Sequence, residues 1–223
     1  MTPTMRTQPL LEACCTSIAS ARIVQELGAG RVELCGLGDG GSTPSLGLIA
    51  RCRDELYVPL HVMIRPSTEH FVYTSEDFDI MCNDVVAARA LGADGIVLGI
   101  LHSDDTVDVQ RMAEVIAIAR PLKITFHRAF DRTPNATHAM ASLLQLCVDY
   151  VLTAGQAPTA LDGALQLNAL QQQAGDKLTV LAGGGVRGHN VRAVVAKSGV
   201  REVHARASDP TIVRDVLLAL ADA

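Results

Sequence analysis

GIVLGILHSDDTVDVQRMAEVIAIARPLKITFHRAF, residues 95–130, reads as a strand, a helix and a second strand in series. Its two ends are short apolar runs in which β-branched and aromatic residues are frequent, as in buried strands. Its middle begins at Asp108, a residue type that caps helices, and continues with helical periodicity. This arrangement predicts two parallel strands joined by a crossover helix.

The same unit recurs along the whole chain. Eight strand-like runs alternate with helical stretches, and they are LLEACC (10–15), RVELC (31–35), PLHVMIR (59–65), GIVLGIL (95–101), KITFHRAF (123–130), YVLTAG (150–155), LTVLAGG (178–184) and EVHARAS (202–208). Helix boundaries are marked by Ser75, Asp108 and the pair Asp209–Pro210 at helix starts, and by Gly28, Gly92, Gly175 and Gly199 at helix ends.

Eight units in 223 residues, at about 28 residues each and with no Pro or Ser rich linker, predict the α/β class and one (β/α)8 TIM barrel. We expect a single domain over residues 1–223, with residues 1–9 as a flexible N-terminal tail. An open doubly wound sheet is the alternative, but such sheets usually contain fewer strands.

Composition argues against several classes of partner. The net charge is −5, no basic run is present, and three Tyr, four Phe and no Trp leave little for base stacking. Every apolar run is interrupted before the roughly 18 residues that a spanning helix needs, and the first residues lack a signal-peptide core. We therefore expect a cytoplasmic protein with no nucleic-acid or membrane partner.

The six cysteines are expected to be reduced thiols. They lie at 14, 15, 35, 52, 82 and 147, and none belongs to a C-x-x-C pair. A chain of this size without a signal peptide rarely builds a disulfide framework, and structural zinc sites usually use paired cysteines.

Strand alternation predicts a polar barrel interior. The residues that share the inward face are Glu12, Cys14, Glu33, Cys35, His61, Met63, Arg65, Thr125, His127, Glu202, His204 and Arg206. Barrel interiors are ordinarily filled with branched apolar side chains, so a charged one indicates a ligand site or a buried ion network. We expect Glu12, Glu33, Arg65 and His127 near the C-terminal mouth, with Arg65, Arg128 and His127 as partners of the two glutamates.

KITFHRAFD, residues 123–131, places His127, Arg128 and Asp131 at the end of the fifth strand. An imidazole titrates near neutral pH, so His127 is the best candidate for proton transfer. Arg65 and Arg128 are expected to clamp an anion, and Asp131 to orient a basic group. The candidate catalytic residues are Glu12, Glu33, Arg65, His127, Arg128 and Asp131.

Two glycine-rich loops lie at the same end of the predicted barrel. AGGGVRGHN (182–190) follows the seventh strand, where the backbone N–H groups of Gly183, Gly184 and Gly185 can cradle an anion at a helix N-terminus. A tight turn without ligand is the alternative. The lone match of this loop to G-x-G-x-x-G is weak, so no organic cofactor is expected.

The loop GLGDGGSTPSLG (36–47) follows the second strand, and its Ser42, Thr43 and Ser45 are expected either to donate to a ligand or to cap the next helix. Capping is at least as well supported for Ser45.

The motifs LEACCTS, RVELCG, GGSTPSLGLI, VMIRP, TFHRAFD, VLTAGQ, AGGGVR and EVHARAS, in this order and spacing, resemble the CutC family of TIM-barrel copper homeostasis proteins. The resemblance runs from Leu10 to Ser208. It implies a cytoplasmic protein linked to copper tolerance, with Cu(I) bound by thiols that correspond to Cys14 and Cys35. Met63 can add a third soft sulfur, although packing in the core is the alternative for buried cysteines.

Two classes of function remain, together with a non-catalytic binding module that would use the same pocket. One is a Cu(I)-binding homeostasis protein, and the other is an enzyme acting on a small anionic metabolite, phosphorylated metabolites included, at the barrel mouth. The candidate ligand-binding residues are Thr153, Gln156, Gly183, Gly184, Gly185 and His204. The expected partner is therefore a copper ion or a small anion, and a homo-oligomer is left open.

Overall fold

The computed structural model describes residues 8–36 and 41–221. Eight parallel strands close into one barrel in sequence order, and a helix follows each strand. The strands are β1 Leu10–Cys15, β2 Arg31–Leu34, β3 Leu60–Met63, β4 Gly95–Leu98, β5 Lys123–Phe126, β6 Tyr150–Thr153, β7 Thr179–Ala182 and β8 Glu202–Arg206. The predicted (β/α)8 barrel is confirmed, and the open doubly wound sheet is excluded.

The helices form the outer layer. They are α1 Ile18–Leu27, α2 Leu46–Glu55, α3 Ser75–Ala90, α4 Val109–Ala119, α5 Ala136–Gln145, α6 Ala164–Ala174, α7 Val191–Ser198 and α8 Pro210–Ala221, with a short 3-10 helix at Arg128–Arg132. No helix within the described ranges combines the length and the apolar character that crossing a bilayer requires. Residues 1–7 of the predicted tail lie outside the described residues.

Helix boundaries follow local side-chain chemistry. Asp108 caps α4 and Ser45 caps α2, where its hydroxyl accepts from the Leu48 amide at 3.2 Å, so the capping role predicted for Ser45 is confirmed. α3 does begin at Ser75, but Thr74 is the capping residue, in a reciprocal capping box with Asp77. The four glycines predicted at helix ends follow α1, α3, α6 and α7, and all have positive φ.

Two separate apolar clusters confirm the predicted inward and outward faces. The large cluster lies between strands and helices and includes Leu11, Val32 and Leu34 from the outward faces. The small cluster lies on the inward faces and consists of Cys14, Cys35, Met63 and Val97. The inward polar side chains Glu12, Glu33, His61, Thr125 and His127 are also buried, so the barrel interior is polar as predicted.

Glycines in and directly after β4 make room for two imidazoles. A Cβ on Gly95 would lie 2.6 Å from the His61 ring, and one on Gly99 would lie 2.5 Å from Nδ1 of His127. Real Cβ atoms do not approach other atoms so closely. The absence of side chains here is therefore what allows β3 and the end of β5 to present histidines to the interior.

Candidate functional site

A cavity of about 580 Å³ opens at the C-terminal mouth of the barrel. Its polar and sulfur-bearing lining residues are Cys14, Glu33, Met63, Arg65, Thr68, His127, Arg128, Arg187, His204 and Arg206. Phe71, Leu152 and Val186 supply apolar wall, and Gly184 and Gly185 supply backbone. The volume is typical of sites for small metabolites.

Four guanidinium groups surround this cavity, and we call Arg65, Arg128, Arg187 and Arg206 the arginine rim. Among the described residues that line the cavity, Glu33 is the only carboxylic acid. Arg65 and Arg128 were predicted from the sequence to belong to the site, Arg206 was predicted only to point inward, and Arg187 was not predicted. The signal for Arg187 was its place within the glycine loop, two residues after Gly185.

Local hydrogen bonds hold three of the rim side chains. Arg65 donates to the Thr68 carbonyl at 2.6 Å and lies over the Phe71 ring, 4.6 Å from its centroid. Arg128 donates to a carboxylate oxygen of Asp131 at 2.7 Å. Arg187 donates to the Val186 carbonyl at 2.7 Å. These contacts orient the guanidinium groups and leave donors for a ligand, because each guanidinium carries five N–H groups.

Asp131 connects the 3-10 helix to the loop after β6. Besides Arg128, its carboxylate accepts from the Thr153 hydroxyl at 2.5 Å and from the amides of Ala154 and Gln156 at 3.1 Å. The predicted contact between Asp131 and a basic group is present. Asp131 itself does not line the cavity.

Thr153 and Gln156 lie behind the cavity wall, so the structure does not bring them to the predicted ligand site. Thr153 is fully buried and bonded to Asp131, and the Gln156 amide donates to the carbonyl and hydroxyl oxygens of Thr133 at 2.5 and 2.9 Å. Sequence alone placed both residues at the end of a strand, but could not show that their polar atoms are used by the neighbouring loop.

The glycine loop after β7 reaches the cavity only in part. Gly184 and Gly185 line it with φ values of 110° and 70°, whereas Gly183 does not line it and donates to the Thr153 carbonyl at 3.0 Å. The helix α7 begins only at Val191, so these amides are not at a helix N-terminus as predicted. A turn separates them because the Arg187 amide bonds the Asn190 side chain at 2.8 Å.

Three ionisable side chains meet at the bottom of the cavity, and we call Cys14, Glu33 and His204 the cavity floor. Their ligand atoms lie within 4.8 Å of one another. The sulfurs of Cys14 and Cys35 are 3.7 Å apart, and the Cys35 thiol is 3.5 Å from a Glu33 oxygen. Two sulfurs at this separation can share one ion with metal–sulfur bonds of about 2.3 Å. The cluster therefore fits a soft metal ion.

Glu12 lies beneath the floor, and its predicted partners are wrong. Its carboxylate bonds Nδ1 of His204 at 2.8 Å and Nε of Arg31 at 2.5 Å, and Arg31 also bonds Glu202 at 2.7 Å. Neither Arg65, Arg128 nor His127 reaches it, and Glu12 does not line the cavity. Arg31 shares the inward face of Glu33, so strand alternation would have revealed this partner.

Burial and charge together set the protonation states of the floor. Burial raises the pKa of Glu12, but Arg31 and His204 outweigh it and hold the pKa well below its usual range. Burial lowers the pKa of His204, but Glu33, Cys14 and Glu12 raise it well above the ordinary value. This direction favours the protonated imidazole at His204, beside the Glu12 carboxylate.

The two thiols at the floor have opposite shifts. A hydrogen bond from Cys35 lowers the pKa of Cys14 well below the ordinary thiol value, and His204 lowers it further. The same bond, with burial and Glu33, raises the pKa of Cys35. Burial and the negative charge of Cys14 raise the pKa of Glu33 well above its usual range. These opposite shifts favour the deprotonated form at Cys14 over that at Cys35.

His127 is a neutral hydrogen-bond donor. Its Nδ1 accepts from the Ala129 amide at 3.3 Å, which places the proton on Nε2. Burial and the nearby Arg65 lower the pKa of His127 to about 3. The expectation that His127 transfers protons near neutral pH rested on an ordinary imidazole pKa, and this environment removes that basis.

Three buried polar atoms of the cavity residues have no hydrogen-bond partner among the described residues. They are Nε2 of His127, Nε of Arg65 and Oε1 of Glu33. Buried polar groups are nearly always paired, because an unpaired one costs about 1–3 kcal/mol. Because all three belong to residues that line one cavity, a polar ligand or ordered water in that cavity can pair with them.

Comparisons with known proteins identify the family of the chain. The CutC family model matches residues 9–209. The family protein CutC of Chromobacterium violaceum is 45% identical over 199 residues, covering 89% of this chain and 81% of that protein. The family protein CutC of Mesorhizobium japonicum is 42% identical over 197 residues, covering 88% and 76%.

Among solved structures, that of a candidate copper homeostasis protein CutC from Streptococcus agalactiae matches with a TM-score of 0.85 and 29% identity, covering 89% of this chain and 98% of that one. A thiamine phosphate pyrophosphorylase from Pyrococcus furiosus matches with a TM-score of 0.65 and 16% identity over 98% of both chains, a likeness of fold alone. The identity, coverage and shared barrel show that this chain belongs to the CutC family.

Proposed function

We propose that this protein binds a small metabolite carrying phosphate or carboxylate groups in the cavity at the barrel mouth. The arginine rim carries this proposal. Four cations lie around a cavity whose only described acid, Glu33, has its pKa raised by burial and by Cys14. An anionic ligand would neutralise this excess of positive charge.

The donors suit phosphate or carboxylate groups in both geometry and number. Guanidinium groups bind both oxyanions with paired hydrogen bonds, and remain charged at every physiological pH. Nε2 of His127 adds a neutral donor that has no partner among the described residues, and Gly184 and Gly185 line the same space. The cavity of about 580 Å³ has room for a metabolite of modest size.

Thermal unfolding with added anions tests the proposal. Inorganic phosphate, pyrophosphate and a panel of phosphorylated and carboxylate metabolites should raise the melting temperature above that in chloride of equal ionic strength. A ligand at 100 times its Kd should stabilise the fold by about 2.7 kcal/mol. Arg187→Met should weaken this effect, whereas Arg214→Met, at an exposed arginine of α8, should not. Equal melting temperatures in all anions would overturn the proposal.

Cu(I) binding is the second candidate function. It is supported by the Cys14–Cys35 sulfur pair at 3.7 Å, by Met63 in the same buried cluster and by the copper homeostasis description of the Streptococcus agalactiae relative. Thiolates and thioethers select Cu(I). Because the arginine rim repels a bare cation, the copper would enter as a complex with anionic ligands.

Reduced thiols also support a cytoplasmic location, which cell fractionation tests.

Anaerobic titration with Cu(I) against a competing chelator tests this candidate. The variant Cys14→Ser/Cys35→Ser should lose the tight site, because hydroxyl groups are poor ligands for a soft ion. Cys147→Ser is the matched control, since Cys147 is exposed and remote from the cavity lining. Unchanged affinity in the double variant would assign both thiols to core packing.

A further inference from the structure

We propose that the ligand of the cavity carries two separate anionic groups, a phosphate group bound at one wall of the barrel mouth and a carboxylate group bound at the opposite wall. This inference rests on the proposed anion-binding function and adds to it the number, kind and placement of the charged groups. The ligand class is a small phosphorylated carboxylic acid.

Strand order divides the arginine rim between two walls of the barrel. In a closed ring of eight strands, β3 and β7 are four places apart and therefore lie on opposite walls. Arg65 is two residues beyond the end of β3, and Arg187 is five residues beyond the end of β7. Both line the cavity. The rim thus offers positive charge on two opposed sides of one space.

Each of these walls has an arginine without an acidic partner. Arg128 forms an ion pair with Asp131 at 2.7 Å, but Arg65 and Arg187 form none with the described residues. Their guanidinium groups donate instead to backbone carbonyls of their own loops, at 2.6 and 2.7 Å, and these bonds hold each group at its own wall. Two uncompensated cations on opposite walls favour a ligand with an anionic group at each end.

The wall at β7 carries what we call the phosphate subsite, defined by Arg128, Gly184, Gly185 and Arg187. The two glycines line the cavity with φ values of 110° and 70°. A Cβ on Gly184 would lie 3.5 Å from Cζ of Arg128, so Arg128 packs against the loop that carries Arg187. Two guanidinium groups beside glycine backbone suit the several oxygens of a phosphate, and TIM barrels frequently bind phosphate after their seventh strand.

The wall at β3 carries what we call the carboxylate subsite, defined by Arg65, Phe71 and His127. The Phe71 ring contacts both of the polar groups. Cζ of Arg65 lies 4.6 Å from the centroid of this ring, and the centroid of the His127 ring lies 5.0 Å from it. One aromatic side chain therefore holds a guanidinium group and an imidazole together at the cavity lining.

An unpaired donor indicates that the carboxylate subsite receives a ligand atom. His127 is 96% buried, and its Nε2 has no hydrogen-bond partner among the described residues. The Ala129 amide bonds Nδ1, so Nε2 carries the proton and can only donate. One imidazole N–H and one guanidinium group match the two oxygens and single charge of a carboxylate, whereas a phosphate would bring more charge and more oxygens than this wall can pair.

Calorimetric titration with two matched series of compounds tests the two subsites. One series consists of ω-phosphonocarboxylates with chains of one to five methylene groups, and the other of alkylphosphonates of equal chain length, all at equal ionic strength. The best phosphonocarboxylate should bind about a hundredfold more tightly than its alkylphosphonate, because its second contact forms within one molecule. Affinity should pass through a maximum along the first series, since one length spans the two walls best.

Variants locate each charged group. Arg65→Met should remove most of the advantage of the phosphonocarboxylate and leave alkylphosphonate binding unchanged. Arg187→Met should weaken both ligands about tenfold. Arg214→Met, at an exposed arginine of α8, should affect neither. If Arg65→Met does not fold, the wild-type comparison of the two series decides alone.

The proposed function and this ligand class can fail separately. Equal affinities in the two series at every chain length would leave the anion site and overturn the carboxylate subsite. Equal weakening of both ligands by Arg65→Met would place Arg65 in the phosphate subsite and overturn the separation into two walls. No binding of either series, together with no thermal stabilisation by phosphate, would overturn the anion-binding function as well.

Discussion

The arginine rim and the ion network beneath the floor are both rich in charge, yet they differ in how those charges are compensated. In the network, Arg31 and Glu12 expose 4% and 0% of their side chains and pair with each other. At the rim, Arg128 exposes 46% of its side chain and has one acidic partner, Asp131. Buried paired ions hold a geometry, whereas accessible cations in excess attract a ligand. One barrel thus uses the same residue types for orientation and for binding.

Removing the buried cation should have the largest effect. Arg31→Met leaves Glu12 and Glu202 without their guanidinium partner, and breaking a buried pair costs about 3–5 kcal/mol. Denaturant unfolding measures the change, with Arg214→Met as the exposed control, expected within about 0.5 kcal/mol of wild type. A loss below about 1 kcal/mol in Arg31→Met would mean that the network is not the structural element described above.

Lowering the pH should destabilise the folded protein because it protonates His127, a residue of the cavity lining. The pKa of this buried imidazole is about 3 in the folded state and about 6.5 when unfolded, so its neutral form stabilises the fold above pH 6.5. That stability is lost as the pH falls from 6.5 towards 3, and amounts to about 3 kcal/mol by pH 4.

The comparison of wild type with His127→Gln from pH 7 to pH 4 isolates this group, because the other titrating groups are shared. Wild type should lose the greater stability in urea unfolding at each pH below 6.5. Equal losses in both proteins would show that His127 is not buried as a neutral group.

At the rim, a single arginine should affect binding far more than folding. Arg187→Met should weaken phosphate or pyrophosphate binding about tenfold, equivalent to about 1.4 kcal/mol, and leave the free energy of unfolding within about 0.5 kcal/mol. Isothermal titration calorimetry and denaturant unfolding measure the two quantities on the same sample. A large loss of stability with unchanged anion affinity would reverse the contrast between rim and network.

The smallest expected effect is at Ser45, outside both regions. Ser45→Ala removes the α2 cap, which should cost about 1 kcal/mol. The shift of melting temperature caused by phosphate should not change, since Ser45 is a capping residue. A reduced phosphate shift in this variant would instead assign the hydroxyl to the ligand.

The eight repeated strand–helix units were enough to predict the barrel, and the alternation of residues along each strand was enough to predict most of its interior. The inward faces of Glu12, Cys14, Glu33 and His204 follow from a period of two, which local sequence displays directly. The partners that a side chain meets on other strands do not follow from this period. The bond between Glu12 and His204 joins residues 192 positions apart, and only closure of β1 against β8 brings them together.

The remaining differences between the predictions and the structure arise from the surroundings of individual side chains, which the sequence does not display. The low pKa of His127 comes from desolvation and from Arg65, and neither is visible in the run KITFHRAFD. Thr153 and Gln156 stand at the right end of a strand, but Asp131 and Thr133 use their polar atoms. The position of a residue along its strand predicts at which end of the barrel it lies. Its hydrogen bonds decide whether its polar atoms remain available to a ligand.

The pairing of β1 with β8 also determines when the site can form during synthesis. Glu12 lies on β1 and His204 on β8, 192 positions later in the sequence, so the ribosome adds His204 long after Glu12. Until β8 emerges, the thiol of Cys14 has no imidazole beside it. A nascent chain thus carries Cys14 without this imidazole until β8 is made, and the cavity floor is complete only when β8 joins β1.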